Sequence, residues 1–198
     1  MTEPVQEDAL LRMACARTEA RGMHLWGVHG IAHWWRVRHN GLLLADAMGA
    51  DPLVVRLFAI FHDSHRDDDF ADPEHGPRAA HWLGSIRSGA APAACAETVR
   101  VIRGISESQF RALEAACRLH TSARSDDDPT VATCFAADRL DLARVGKRLK
   151  PALIPIPRSI LTDELLAAAV ERTHRGLAWS EPGLIERVWS VVPPPDRG

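Results

Sequence analysis

The sequence predicts an all-α protein folded as a single domain. Apolar residues recur at helical spacing along most of the chain, and no two runs of alternating apolar and polar residues are available to pair as a sheet. The length of 198 residues suits one compact domain. With 46% apolar and 25% charged residues, the composition is that of an ordinary globular protein and argues against a disordered or disulfide-stapled chain.

Start and stop signals delimit the predicted helices. Asp51-Pro52 and Asp128-Pro129 each place an N-cap before a proline at the first helical position, and Ser106 with Gln109 forms a capping box. The predicted helices are 7–21, 31–48, 53–61, 77–88, 93–105, 107–120, 130–145, 162–175 and 183–189. Polar or proline-rich connections are predicted at 64–73, 121–127 and 150–158, and a frayed tail begins at Pro193.

Charge and composition exclude several classes of partner. A net charge of -2 and a pI near 6.5 give no general attraction to nucleic acid. No apolar run is long enough to span a membrane, and the first residues do not resemble a signal peptide, so we expect a cytoplasmic protein. Its cysteines form no C-x-x-C pair and are predicted to be buried, reduced thiols: Cys15, Cys95, Cys117 and Cys134.

Histidines and aspartates occupy costly positions at the ends and inner faces of predicted helices. His62-Asp63 directly follows the most apolar helix, where an imidazole and a carboxylate must find partners. His33 and Asp138 lie in apolar stretches of two other helices. A divalent metal would satisfy all four side chains. These nitrogen and oxygen donors suit Mn, Mg, Fe, Co, Ni or Zn rather than a metal selected by thiolates.

The order His33, then His62-Asp63 after an apolar helix, then Asp138 resembles the H…HD…D signature of the HD superfamily, a group of all-helical metal-dependent phosphohydrolases. The phrase Ala59-Ile60-Phe61-His62-Asp63 resembles the hydrophobic run that precedes the HD pair in that family. The resemblance covers about residues 24–148, and we treat 149–198 as a helical extension of the same domain. It implies a helical bundle that hydrolyses a phosphoester or phosphoanhydride of a small metabolite or nucleotide.

Two further histidines match positions at which some HD proteins hold a second metal. His75 stands just before a predicted helix, and His120 ends the helix that begins at the capping box. The resemblance therefore implies either one metal, held by His33, His62, Asp63 and Asp138, or two. In the one-metal case, His75 and His120 could instead contact substrate phosphate or lie in solvent.

The candidate catalytic residues are Asp63, Arg66 and Asp67. In the family's usual account, Asp63 is both a metal ligand and a partner of the attacking water. Arg66 stands where the nucleotidases and (p)ppGpp hydrolases of the superfamily carry a catalytic Glu, which argues against both assignments. It could instead hold a phosphate or an Asp of the local cluster. Asp67, with Asp68 and Asp69, could supply the missing acid, although three consecutive acids also suit a solvated turn.

Two further groups of residues are candidates for contacting the substrate. His29 lies four residues before His33 and can reach the same pocket if the helix begins early enough, or it is a surface histidine near Gly30. The basic residues Arg144, Lys147, Arg148 and Lys150 could steer an anionic substrate, but they also suit the dipole of a helix end, which is the favoured interpretation.

The alternatives to a phosphohydrolase are a diiron oxygenase on the HD fold and a catalytically silent HD domain that binds a ligand or partner. A homo-oligomer is compatible with the sequence.

Overall fold

The computed structural model describes residues 4–91 and 94–175, together with Val188 and Ser190. Within these residues all regular structure is helical, which confirms the predicted all-α class. The α-helices are α1 (Pro4–Ala20), α2 (Ile31–Met48), α3 (Pro52–Phe61), α4 (His75–Ser88), α5 (Ala96–Gly104), α6 (Glu107–Leu119), α7 (Pro129–Arg139) and α8 (Asp163–Arg175). Short 3-10 turns lie at Leu142–Val145 and Pro151–Leu153.

Helix α3 lies at the centre of the bundle. It packs against α1, α2, α6 and α7, and Phe58 and Phe61 on it are fully buried. Deleting an aromatic side chain at such a position costs about 3–5 kcal/mol in folding free energy, because it leaves a cavity. The C-terminal end of α3 therefore delivers His62 and Asp63 into the protein interior, with α2, α6 and α7 around them.

The helix-start signals act as the sequence predicts. Asp51 accepts hydrogen bonds from the backbone N–H groups of Leu53 and Val54. Asp128 caps α7 in the same way, and the capping box of Ser106 and Gln109 is formed at the start of α6. These bonds satisfy backbone donors that a helix leaves unpaired at its first turn.

Several predicted boundaries were wrong. Helix α4 begins at His75 rather than at residue 77, so this histidine belongs to the helix instead of preceding it. Helix α7 ends at Arg139 rather than continuing to residue 145, and the chain turns through Leu142–Val145 instead. Cys95 is exposed, whereas the other three cysteines are buried as predicted. Burial raises the pKa of the Cys15 thiol to about 12.

The chain after α7 packs back onto the bundle through a second apolar cluster. Residues Leu44 on α2 and Ala136 on α7 contact Ile154, Ile156 and the start of α8 in this cluster. Of the predicted helix 183–189 the structure describes only Val188, which is helical and buried. The predicted tail from Pro193 lies outside the described residues. No described helix is both long enough and apolar enough to cross a membrane.

Candidate metal centre

Five helices bring a cluster of histidines and aspartates together at the end of α3. The cluster consists of His33 on α2, His62 and Asp63 after α3, His75 at the start of α4, His120 at the end of α6 and Asp138 on α7. Its histidines are at most 4% exposed, and Asp63 is 3% exposed. All six of these sequence-predicted ligands therefore meet in one buried site.

The first half of the cluster comprises His33, His62, Asp138 and the Oδ2 atom of Asp63. The Nε2 atoms of His33 and His62 lie 3.1 Å apart. His33 Nε2 lies 3.4 Å from Asp63 Oδ2 and 3.4 Å from Asp138 Oδ1. His62 Nε2 lies 3.6 Å from the same Asp63 oxygen. Two imidazole nitrogens and two carboxylate oxygens thus surround one small volume.

The second half comprises His75, His120 and the Oδ1 atom of Asp63. The Nε2 atoms of the two histidines lie 2.8 Å apart. Asp63 Oδ1 lies 3.0 Å from His75 Nε2 and 3.9 Å from His120 Nε2. Because each oxygen of Asp63 faces a different pair of histidines, this carboxylate lies between the two halves.

The other ring nitrogens fix the tautomers of the first half. His33 Nδ1 lies 2.7 Å from Asp141 Oδ2, an acceptor, so the Nδ1–H donates there. His62 Nδ1 lies 3.1 Å from the carbonyl oxygen of Phe58 and 3.2 Å from that of Ala59. Burial lowers the pKa of His62 to about 3, which keeps the ring neutral. The Nε2 of His62 therefore carries a lone pair and no proton, and the Nε2 of His33 faces it.

The second half follows the same pattern. His120 Nδ1 donates to the carbonyl oxygen of Cys117 at 2.9 Å, and His75 Nδ1 donates to the carbonyl oxygen of Asp72. Burial also lowers the pKa of His120. The Nε2 of His120 therefore presents a lone pair to the Nε2 of His75. A cation between the facing nitrogens of each pair would be ligated by both.

Asp141 supports the first half and was missed by the sequence analysis. This carboxylate is 1% exposed and receives hydrogen bonds from His33, from Arg36 Nε at 2.6 Å and from Thr173 Oγ1 at 2.8 Å. Burial acts to raise its pKa, but the partners His33 and Arg36 hold it well below the usual value. A carboxylate between two leucines, three residues after Asp138, was the available sequence signal.

Arg144 enters the cluster, contrary to the favoured interpretation from sequence. Because α7 has already ended at Arg139, no helix dipole is available to Arg144, and the turn at Leu142–Val145 directs its side chain inward. Its guanidinium lies 3.7 Å from Asp138 Oδ1 and donates to the Val28 carbonyl oxygen at 2.9 Å. Burial acts to raise the pKa of Asp138, and Arg144 is the chief group that lowers it. The other three basic residues are exposed: Lys147, Arg148 and Lys150.

His29 and Arg66 border the cluster on either side of Asp63. His29 Nδ1 lies 2.9 Å from Asp63 Oδ2, and its Nε2 lies 3.1 Å from the carbonyl oxygen of Asp69. Arg66 NH1 lies 3.4 Å from Asp63 Oδ1 and within 3.3 Å of both His75 ring nitrogens, while its Nε donates to the Asp68 carbonyl oxygen. The candidate substrate contacts from the sequence are therefore adjacent to the candidate metal ligands.

Asp67 is the predicted catalytic residue that the structure does not bring into the cluster. Its side chain is 53% exposed and pairs with Arg21 at 2.6 Å and with Arg78 at 3.2 Å. Arg21 directly follows α1, and Arg78 lies on α4. Together they hold the Asp67 carboxylate at the surface. The acidic turn is therefore part of a surface ion-pair group.

Gly76 explains how α4 approaches α6 closely enough to join His75 to His120. A Cβ atom at this position would lie 2.4 Å from the carbonyl oxygen of Cys117 and 3.1 Å from Cε1 of His120. No larger residue fits there without moving one of the two helices. The glycine thus sets the spacing of the second half.

Comparisons with protein-family models, with curated proteins and with solved structures find no match for this chain. The interpretation of the site therefore depends on its own residues and geometry.

Proposed function

We propose that this protein is a metal-dependent phosphohydrolase that cleaves a phosphoester or phosphoanhydride of a small metabolite or nucleotide. The observation that carries the proposal is the convergence of four buried imidazole Nε2 atoms on the Asp63 carboxylate. Each of these histidines directs its Nδ1 to an oxygen acceptor outside the four rings. Facing Nε2 atoms that share one volume with carboxylate oxygens are the donors that a divalent metal needs.

The donor atoms fit a divalent metal in each half. His33, His62, Asp63 and Asp138 would hold the first ion, and Asp63, His75 and His120 would contribute to a second. Nitrogen and oxygen donors in this mixture suit Mn, Fe, Co, Ni or Zn, and Mg where oxygen ligands dominate. When bound, such an ion supplies an activated water near neutral pH and offsets charge on phosphoryl oxygens.

Arg144 and Arg66 are placed to bind the phosphoryl group. Both are positively charged, and both currently lie beside carboxylates that a metal would also engage. A guanidinium can present two parallel N–H donors to phosphate oxygens. We assign Arg144 and Arg66 to orienting the substrate rather than to proton transfer, because arginine does not release its proton in proteins.

His29 is the side chain best placed to carry a proton. The glutamate that acts as acid or base in the better-known HD branches is absent, and Asp67 lies outside the cluster. His29 touches the Asp63 carboxylate with one nitrogen and the chain at Asp69 with the other, and its side chain is 11% exposed. Removing a general acid or base typically lowers the rate by about 10²–10⁴-fold.

The direct test is a hydrolysis screen of purified protein supplied with each candidate metal. The substrates are para-nitrophenyl phosphate, bis-para-nitrophenyl phosphate and nucleoside mono-, di- and triphosphates. We expect metal-dependent release of product that is lost in His62→Ala and Asp63→Ala but retained in His24→Ala, which changes an exposed histidine. Activity that survives either cluster substitution would overturn the assignment of the site.

A diiron oxygenase remains the second candidate function, because a carboxylate between two nitrogen-rich halves also suits a pair of iron ions. Iron in the purified protein, a mixed-valent signal and oxygen uptake without phosphate release would favour it. Metal binding with neither activity would favour a silent ligand-binding domain.

A further inference from the structure

A cavity away from the metal cluster, here called the α1–α4 cavity, lies between the end of α1 and one face of α4. It has a volume of about 520 Å³, and its wall includes Arg17, Arg21, Arg78, Arg118, His65 and Trp82. Among the described residues that line it, none carries a carboxylate. It shares no side chain with the candidate metal ligands, so it is a separate feature of the molecule.

Among the described residues, three buried side-chain nitrogen atoms of residues that line this cavity have no hydrogen-bond partner. They are Arg21 Nε, Trp82 Nε1 and His65 Nε2. Trp82 is 7% exposed and His65 is 5% exposed. A buried polar group without a partner typically costs about 1–3 kcal/mol. A ligand that supplied the missing partners would relieve this cost.

The unpaired atoms specify the chemistry of that ligand. Ser64 Oγ donates to the Phe61 carbonyl oxygen at 2.8 Å, so it accepts from His65 Nδ1–H at 3.0 Å. The Nε2 of the neutral His65 ring therefore offers a lone pair. Arg21 Nε and Trp82 Nε1 are donors only. A ligand that paired all three atoms would supply two acceptor atoms and one hydrogen-bond donor.

The charges around the cavity add a preference for an anion. Arg17 lies over the Trp82 ring at 5.0 Å from its centre, and no carboxylate partner is found for it in the part of the chain that the structure describes. Arg21 and Arg78 share Asp67 at the surface. A half-buried surface arginine such as Arg17 can turn from the tryptophan face to a bound anion at small cost.

We propose that the α1–α4 cavity binds a phosphate group, either as inorganic phosphate or as part of a phosphomonoester. Inorganic phosphate near neutral pH carries charged oxygens for the Arg and Trp donors and keeps at least one P–OH for His65. A phosphomonoester keeps that hydroxyl only as its monoanion, which dominates below its second pKa of about 6. Sulfate and simple carboxylates are fully ionised at that pH and lack the hydroxyl. The proposal does not depend on the proposed phosphohydrolase activity, because its residues are distinct from the metal cluster.

The test is calorimetric titration of the protein with inorganic phosphate, with sulfate and with AMP. Trp82→Phe removes the Nε1–H while keeping an aromatic ring. Trp35→Phe is the matched control, because Trp35 also has an unpaired buried Nε1–H and an arginine, Arg38, 4.9 Å from its ring centre, but lies elsewhere. Repeating the titration with His62→Ala separates binding at this cavity from binding at the metal cluster.

We expect saturable phosphate binding that is weakened about tenfold in Trp82→Phe and in Arg17→Gln, corresponding to one lost charge-assisted hydrogen bond. Binding should be unchanged in Trp35→Phe and His62→Ala. If Trp82→Phe does not fold, the Arg17→Gln variant tests the proposal instead, because Arg17 is half-exposed. Tighter binding of AMP than of phosphate would identify an ester as the ligand, and the reverse order would identify the free ion. No saturable binding, equal affinity for sulfate, or full affinity in Trp82→Phe and Arg17→Gln would overturn the proposal.

Discussion

The two halves of the buried cluster use the same side-chain types, but their surroundings differ. In the first half, the Nδ1 of His33 is held by the ionised carboxylate of Asp141, and Asp138 adds a second carboxylate ligand. In the second half, the Nδ1 atoms of His75 and His120 donate to backbone carbonyl oxygens, and among the described residues Asp63 is the only carboxylate within 4 Å of their ring nitrogens.

The two halves also differ in how far nearby carboxylates offset the charge of an adjacent arginine. Arg66 lies directly against His75 and the Asp63 oxygen of the second half, where a metal ion would meet its charge. In the first half, Arg144 is also present, but two carboxylates, Asp138 and Asp141, lie close enough to offset it. A carboxylate behind a histidine ligand raises the basicity of that ligand. We therefore expect the first half to bind a divalent ion more tightly than the second.

Asp63→Asn should produce the largest effect, because this carboxylate serves both halves. Replacing one charged oxygen with an amide nitrogen removes an anionic ligand from each ion at once. We expect both metals to be lost, as measured by elemental mass spectrometry. Asp67→Asn is the matched control, since Asp67 is exposed and lies outside the cluster. Full metal content in Asp63→Asn would show that the carboxylate is structural.

His75→Ala should remove one metal and keep the other. Among the first-half ligands, Asp63 contacts this side chain through Oδ1, whereas its Oδ2 belongs to the first half, so the first ion should remain. We expect one ion per chain in His75→Ala and two in the unmodified protein. The control is His81→Ala, which changes an exposed histidine on the same helix. Equal stoichiometry in all three proteins would reject the second site.

Asp141→Asn should weaken the first half selectively. Substitution of a carboxylate behind a metal-bound histidine typically lowers metal affinity about 10–100-fold. We expect that loss in a competition titration with a metal chelator, with the second ion less affected. The folded protein should also lose stability, because Arg36 would keep its buried charge without a carboxylate. Unchanged metal affinity would show that Asp141 serves only Arg36.

Acidification should destabilise the metal-free protein, because two buried histidines have a lowered pKa in the folded state. Burial lowers the pKa of His62, and of His65 beside the α1–α4 cavity, from 6.5 to about 3. Between these two values the unfolded chain binds a proton that the folded chain does not, so stability is lost as the pH falls. Each histidine should lower the unfolding free energy by about 1.4 kcal/mol per pH unit across that window.

Urea unfolding in the presence of a chelator, repeated from pH 7 to pH 4, measures this slope. His65→Gln should reduce it by the share of one histidine. A slope that is identical in His65→Gln would mean that His65 carries its proton in the folded state.

Arg66→Gln should give the smallest effect and the opposite sign. Removing the positive charge beside His75 takes away a repulsion that a second metal would otherwise meet. We expect a severalfold gain in affinity for the second ion and no change for the first, measured by calorimetry. Arg78→Gln is a control of the same chemistry at the surface. Weaker binding of the second ion in Arg66→Gln would show that Arg66 organises the site rather than opposing the metal.

Most of the fold could be predicted from the sequence, because its signals are local. The caps at Asp51, Ser106 and Asp128 act within three residues of themselves, and the apolar run before His62 is sufficient to indicate a central helix. The end of α7 could not be predicted in this way. Nothing between residues 139 and 142 interrupts helical periodicity. The turn there is instead held by distant partners, such as Arg36 for Asp141 and Val28 for Arg144.

The same distinction between local signals and long-range contacts holds for the residues of the candidate site. His33, His62, Asp63 and Asp138 could be singled out because burying an imidazole or a carboxylate in an apolar helix is costly wherever it occurs. His75 and His120 were indicated only by the resemblance to the HD family. The support from Asp141 and the inward position of Arg144 depend on contacts across more than 100 residues of sequence. Asp67 was misassigned for the same reason, since its pairing with Arg21 spans 46 residues.

Metal content per chain is the measurement that tests the central claim most directly. It should be made by elemental mass spectrometry on protein purified without a polyhistidine tag and then dialysed with Mn, Fe, Co, Ni, Zn or Mg. The account predicts one tightly held ion, a second that is lost more readily, and neither in His62→Ala combined with His75→Ala. A chain that retains no ion from any of these solutions would contradict the claim that the facing histidines form a metal site.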